Sequence, residues 1–130
     1  MKARSLIITG GRLVLPDGVR PGALRCVDGF VTEVGEAAPQ DSDEVVDARG
    51  ALVAPGLVDY GSFAIDKPAF HFGGITRAAL MPDQNPPLDH PARVRFAAQS
   101  GKPDFWVHPL AAASVGLAGE QLAELALMRE

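Results

Sequence analysis

The stretch VVDARGALVAPGLVDYGSF, Val45 to Phe63, decides how this chain is divided. Its first half holds two short β-branched and apolar runs, EVVDA and ALVAP, on either side of Arg49-Gly50. Glycine accepts the positive φ that a tight turn needs, so this half reads as two strands and a turn. Pro55-Gly56 then breaks the pattern. Beyond it LVDYGSFAI, Leu57 to Ile65, is nearly continuous in apolar residues apart from Asp59, the pattern of a strand buried in a parallel sheet. A small β module therefore ends near residue 55, and the two units expected are 1–55 and 56–130.

Between Ser5 and Leu15 the run LIITGGRLVL is β-rich and interrupted by Gly10-Gly11, which reads as two strands meeting at a turn or bulge. Pro16-Asp17-Gly18 is a turn by its chemistry. The segment ALRCVDGFVTEVG then alternates about Asp28-Gly29, a strong hairpin signal. The acidic loop QDSDE, Gln40 to Glu44, reads as solvated surface. Alternating Val, Leu and Ile side chains that face one another give the first unit the look of a β-sandwich.

In the second unit, Phe70 to Gly74 (FHFGG) follows the first strand almost at once. A parallel crossover needs about a dozen residues, so this one is expected to close without a full helix. ITRAALMP, Ile75 to Pro82, is the second strand. A helix is expected from Pro91, where proline suits the first position, to near Gly101, with Val94, Ala97 and Ala98 as its apolar stripe. DFWVHPL, Asp104 to Leu110, is the third strand. Glu120 to Glu130 reads as an amphipathic helix with Leu122, Leu125 and Met128 on one face, and no glycine, asparagine or proline stops it.

With 130 residues, 47% of them hydrophobic, the chain can bury a core. A formal charge of −4 without a basic run gives no electrostatic footprint for nucleic acid or an anionic membrane. No apolar run approaches the roughly 20 residues that span a bilayer. The lone cysteine, Cys26, has no internal partner, which fits a reducing, cytoplasmic location.

Several stretches together carry a family resemblance. Asp47, Gly50, Val53, Pro55, Gly56 and Asp59 fall in place on the domain junction D-x-x-G-x-x-V-x-P-G-x-I-D-x-H-x-H-x-R of dihydroorotases and related cyclic amidohydrolases. GGITRAALMPDQNPPLDHP, Gly73 to Pro91, resembles their GGFTTVVxMPNTNPPxDxP, and GLAGEQLAELALMRE, Gly116 to Glu130, is similar to their G-L-x-G-E-E-L-A-E helix. The resemblance implies α/β architecture: a β-sandwich-like module followed by the opening strands and helices of a TIM-like (β/α) barrel. It also implies a zinc-dependent hydrolase of pyrimidine biosynthesis.

The same resemblance locates what is missing. The family's two metal-binding histidines correspond to Gly61 and Phe63, its substrate arginine to Ile65, and the first asparagine of MPNT to Asp83. Asn85 remains as a substrate-loop residue. No catalytic, cofactor or metal residue is assigned in this chain, and zinc is expected only of the family. A complete barrel takes roughly 250 residues, so this polypeptide is expected to be a fragment or one piece of an assembly.

Two functional expectations follow. In one the chain is inactive on its own and serves as a structural or regulatory subunit, with aspartate carbamoyltransferase as the partner that the resemblance names. In the other it belongs to an active metal-dependent cyclic-amide hydrolase whose remaining ligands lie beyond residue 130. The remaining candidates read as structure. His90 is expected in an exposed loop, His108 packed and hydrogen-bonded in the third strand, and His71 in a turn or packing role; their spacing matches no metal motif. Ser62, Ser114 and Cys26 have no neighbouring base to activate them, and Gly10-Gly11 leads into a strand rather than a phosphate-binding helix.

Overall fold

The structure is a computed structural model that describes residues 4–129. Met1–Ala3 and Glu130, the last residue of the expected C-terminal helix, lie outside the described residues. The chain divides into two compact units, Met1–Pro55 and Gly56–Glu130.

The first unit is one five-stranded mixed sheet, in place of two packed sheets. Its strands are β1 (Ser5–Leu15), β2 (Gly18–Val27), β3 (Phe30–Gly35), β4 (Asp43–Asp47) and β5 (Leu52–Val53). The order is β3-β2-β1-β4, and β5 also pairs with β1. β1 to β3 are antiparallel neighbours, whereas β4 and β5 run parallel to the two halves of β1. Of the two readings open for Gly10-Gly11, the bulge is the one formed: the β1–β2 register shifts between Ile8 and Gly11. Gly10 has φ +64°, a conformation that glycine adopts without strain and side chains rarely do. The hairpin at Asp28-Gly29 has positive φ at both residues (49° and 85°), the backbone of a type I′ turn.

Burial in this sheet departs from the pattern expected of a sandwich. Ile7 and Leu13 are fully buried, but Phe30, Val31, Val34, Val45 and Val46 are exposed. Within ALRCV, Ala23 and Arg25 are buried, while Leu24 and Cys26 are only half-buried. The acidic loop is only partly solvated surface, because the Asp43 side chain is completely buried against Arg25.

The second unit is a three-stranded parallel sheet, β6 (Leu57–Ser62), β7 (Ile75–Leu80) and β8 (Trp106–Pro109), in the order β6-β7-β8. The first crossover holds a short helix, α1 (Lys67–Phe72). Its first turn is fixed by Asp66, whose carboxylate accepts the Ala69 N–H at 3.1 Å, and by Pro68. The second crossover holds α2 (Pro91–Gln99), which starts at Pro91 as expected. One core joins these elements: Ala78 and Leu80 of β7, Val107 of β8, Val94 and Ala97 of α2, and Phe70 of α1 against Phe105.

Two expectations fail here. β6 is not a buried strand: Leu57, Val58 and Tyr60 are exposed, because β6 is the edge of a three-stranded sheet. The C-terminal helix shrinks to α3 (Leu125–Met128). Residues 113–123 instead close a loop through Val115 N–H to Gln121 O, Ala123 N–H to Ala113 O, and a Ser114–Leu122 bridge. Gly116 and Gly119 take positive φ within it, Leu122 and Leu125 are exposed, and only Met128 of the expected face is buried. Most helical stability comes from packing an apolar face, and most of this face has nothing to pack on.

The junction at Gly56 tolerates no side chain. A Cβ there would lie 2.1 Å from Thr76 Cγ2 and 2.7 Å from Thr76 Cβ, which no rotation of Thr76 relieves. Gly56→Ala is expected to force apart the ends of β6 and β7 and cost about 1–3 kcal/mol. Chemical denaturation of the single variant against the Gly56→Ala/Thr76→Gly double variant checks this, and the second change is expected to recover most of the loss.

Candidate functional site

The positions singled out by sequence gather at the carboxyl ends of β6 and β7. Asp59 braces the end of β6: its Oδ1 accepts the Gly61 N–H at 3.1 Å and its Oδ2 accepts the Ser62 hydroxyl at 2.8 Å. The Ser62 carbonyl in turn accepts the Met81 N–H at 2.9 Å, tying the two strand ends together. Gln84 completes the brace, donating from Nε2 to the carbonyls of Phe63 (3.1 Å) and Met81 (2.9 Å). Sequence reading passed over Gln84; its place between Asp83 and Asn85 in the loop after β7 was the available signal.

Gly61 presents only hydrogen at this end, and a Cβ built there meets nothing within 4 Å. Phe63 presents an exposed benzyl group. Ile65 turns away from both and packs against the core between sheet and helices. Asp83 and Asn85 are exposed. Ile65 and Asn85 come together in a cavity of about 450 Å³ between the loop after β7 and α2, whose walls include Leu80, Leu88, Arg93 and Phe96. Gly61, Phe63 and Asp83 do not line it. That volume suits a small molecule, and the walls are mainly apolar with a few amide and guanidinium groups at the rim.

The histidines are dispersed. His71 lies exposed in the last turn of α1, between the buried Phe70 and the exposed Phe72. His90 is exposed, and it caps α2, its Nδ1 accepting the Ala92 N–H at 3.2 Å. His108 is exposed rather than packed, with Nε2 3.2 Å from Arg77 Nη1. Among the described residues no three His, Cys, Asp or Glu side chains lie close enough together to hold a metal ion. Asp89, whose carboxyl is held below the usual carboxylate range by the Gly116 N–H and by Arg93, fastens the loop before α2 to the 116 turn.

A dihydroorotase of Ruminiclostridium cellulolyticum is 38% identical over 114 residues, covering 76% of this chain and 26% of that protein. The chain is a dihydroorotase-like member of the amidohydrolase superfamily. It corresponds to the N-terminal part of such proteins. A dihydroorotase of Pelotomaculum thermopropionicum matches at 33% identity over 141 residues, covering 96% of this chain and 33% of its own length. That alignment is longer than the 130 residues of this chain, so the relative has positions that this chain lacks. The chain thus spans about a third or less of the dihydroorotases it matches. Among solved structures, the L-hydantoinase (dihydropyrimidinase) of Arthrobacter aurescens superposes with a TM-score of 0.69 at 22% identity, over 84% of this chain and 28% of that one. At that identity the likeness is one of fold. No family model matches the chain.

At Gly61 and Phe63, which the resemblance matches to the family's two histidines, stand a hydrogen and a hydrocarbon ring, neither of which donates an electron pair to Zn²⁺, so these two positions do not fit the zinc that the resemblance implies.

Proposed function

We propose that this chain is a dihydroorotase-like amidohydrolase segment that has lost its own metal chemistry and acts as a structural or regulatory subunit, in the cytosol, with aspartate carbamoyltransferase as the partner to test. The observation that supports this reading is the end of β6, where Gly61 and Phe63 replace both metal-binding positions. A Cβ at Gly61 would meet nothing within 4 Å, so the backbone there leaves room for a side chain to start. At the position that the resemblance gives to a substrate arginine, Ile65 carries no charge, and at that of the asparagine, Asp83 carries a negative one, the opposite of what a carboxylate needs. On this reading the three parallel strands are an open arc of a (β/α) barrel.

The decisive measurement is zinc content together with dihydroorotate ring opening, made on the protein at its natural length. The expected result is no stoichiometric zinc and no zinc-dependent turnover, with co-elution alongside aspartate carbamoyltransferase. The roughly threefold greater length of the relatives favours a second reading, an active cyclic-amide hydrolase whose ligands lie beyond residue 130. About one zinc per chain together with turnover would establish it and overturn the first.

A further inference from the structure

The cavity between the loop after β7 and α2 is lined by neither Gly61 nor Phe63, and its chemistry is its own. Every wall comes from one stretch of chain, Ile65 to Ser100. It opens on the side of the sheet that the helices cover, since Leu80 belongs both to its lining and to the core that Phe70, Val94 and Ala97 share. In a (β/α) barrel the helices follow one another round the outer ring in chain order. The neighbours of this interval are therefore α1 and α2, both present here, and the strands that would close a barrel lie elsewhere. The space traces to the short first crossover. α1 has only six residues and packs on β7, so Ile65, which precedes it, and Phe96 of α2 face one cavity with no helix laid between them. Phe96 is left 80% exposed.

Hydrocarbon dominates the lining, with Leu80 and Leu88 at 4% and 5% exposed. The polar groups around it are unequally spent. Gln84 uses Nε2 on the Phe63 and Met81 carbonyls. Arg93 uses Nη1 on Asp89 at 2.5 Å and on the Pro87 carbonyl at 3.3 Å, which leaves Nε and Nη2 without a protein partner among the described residues. Its charge is balanced by Asp89, and among the described residues no other ionisable side chain lines the cavity. An anion would compete with Asp89 for the guanidinium, and a cation would be repelled by it. A neutral carbonyl oxygen can accept from the free N–H groups and leave the pair intact.

We propose that this cavity binds a small neutral ligand, its aromatic or hydrocarbon body seated among Leu80, Leu88 and Phe96 and one carbonyl oxygen accepting hydrogen bonds from Arg93. A concave site of about 450 Å³, apolar with one placed donor group, is of the size and make-up that encloses a small molecule. The inference stands whether or not the parent protein keeps any metal chemistry.

The probe is prodan, a neutral naphthyl ketone whose emission moves to the blue on leaving water, titrated into the protein at its natural length. A saturable blue shift is expected. Ala92→Phe, which brings a ring to the cavity from an exposed position of α2, is expected to weaken binding at least about tenfold. Arg93→Lys keeps a charge beside Asp89 but withdraws Nε and Nη2, and is expected to weaken it about tenfold. Dimethylaminonaphthalene, which lacks the carbonyl, is expected to bind the parent and Arg93→Lys alike. Both positions are exposed, so circular dichroism melts separate lost binding from lost fold. Absence of saturable binding overturns the proposal. So does a blue shift that Ala92→Phe leaves unchanged, which would place the dye on another apolar surface. An equal loss of dimethylaminonaphthalene binding in Arg93→Lys would overturn the carbonyl contact. Displacement of the dye by a tighter-binding amphipathic helical peptide would overturn the small-molecule assignment and give the space to a protein helix.

Discussion

Arg25→Ala is expected to lower the melting temperature by on the order of 10 °C or more, and to be the most damaging single charge removal in the first unit. Arg25 is 4% exposed in the middle of β2, and its guanidinium serves three partners at once. Nε and Nη2 reach Asp43 Oδ2 at 3.3 and 3.0 Å, Nη1 reaches Glu33, and Nη2 also donates to the Ala38 carbonyl. These contacts join β2 to β3, to the loop after it and to β4. Removing the arginine leaves Asp43, whose side chain is fully buried, with an uncompensated charge. Replacing both partners with apolar residues removes the uncompensated charge but leaves the Ser5 hydroxyl and the Gln40 N–H without their acceptor, so Arg25→Met with Asp43→Leu is expected to recover part of the loss. Far-UV circular dichroism melts, with hydrogen exchange at the β1 and β2 amides, read both variants. A double variant no more stable than Arg25→Ala would show that the network is needed for the fold itself.

The same cluster sets the acid limit of this unit. The Asp43 carboxyl is held below its usual value, first by the Ser5 hydroxyl, then by the Gln40 N–H and by Arg25. A carboxyl depressed in the folded state contributes stability above its unfolded pKa and loses it as pH falls through the lower folded value. The first unit is therefore expected to keep this contribution from neutral pH to about pH 4 and to lose it below. The Asp43→Leu/Arg25→Met variant should show a flatter profile in that window.

Local chemistry explains what the sequence could show of this fold and what it could not. Turns announced themselves because Asp28-Gly29 and Arg49-Gly50 supply positive φ within two residues, and α2 was legible from Pro91. Arg25 was not, because strand alternation gives two faces without saying which is buried. The C-terminal helix was misjudged for a related reason. Its pattern was amphipathic, but Gly119 and the backbone bonds of Gln121 and Ala123 commit the first half to a loop, and tertiary context overrides propensity. At the candidate site the gap was one of position. The departures at Gly61, Phe63, Ile65 and Asp83 were visible residue by residue, yet only the structure parts Ile65 into the helix-side cavity from Gly61 and Phe63 at the strand end.

Phe105→Ala is expected to cost the second unit about 3–5 kcal/mol, a large share of the stability of an ordinary domain. Phe105 is 4% exposed and fills the space where α1, α2 and β8 meet, its ring centroid 5.1 Å from that of Phe70 at a 54° tilt. The fit is close enough to dictate a neighbour: a Cβ on Gly101 would lie 2.7 Å from the Phe105 carbonyl oxygen and 2.9 Å from its ring. Because α1 has only six residues, it lacks the length to hold itself and depends on Phe70 meeting this ring. The first consequence of the truncation should therefore be fraying of α1, seen as faster amide exchange from Lys67 to Phe72, before the β7–β8 pairing is lost. Phe105→Leu fills most of the volume and is expected to keep the fold at less than half the cost. Chemical denaturation followed by the emission of Trp106, the next residue along the chain, measures both variants. If Phe105→Ala unfolds no more readily than Phe105→Leu, the core at this junction collapses around the gap, and the close contact with Gly101 is not what fixes the turn.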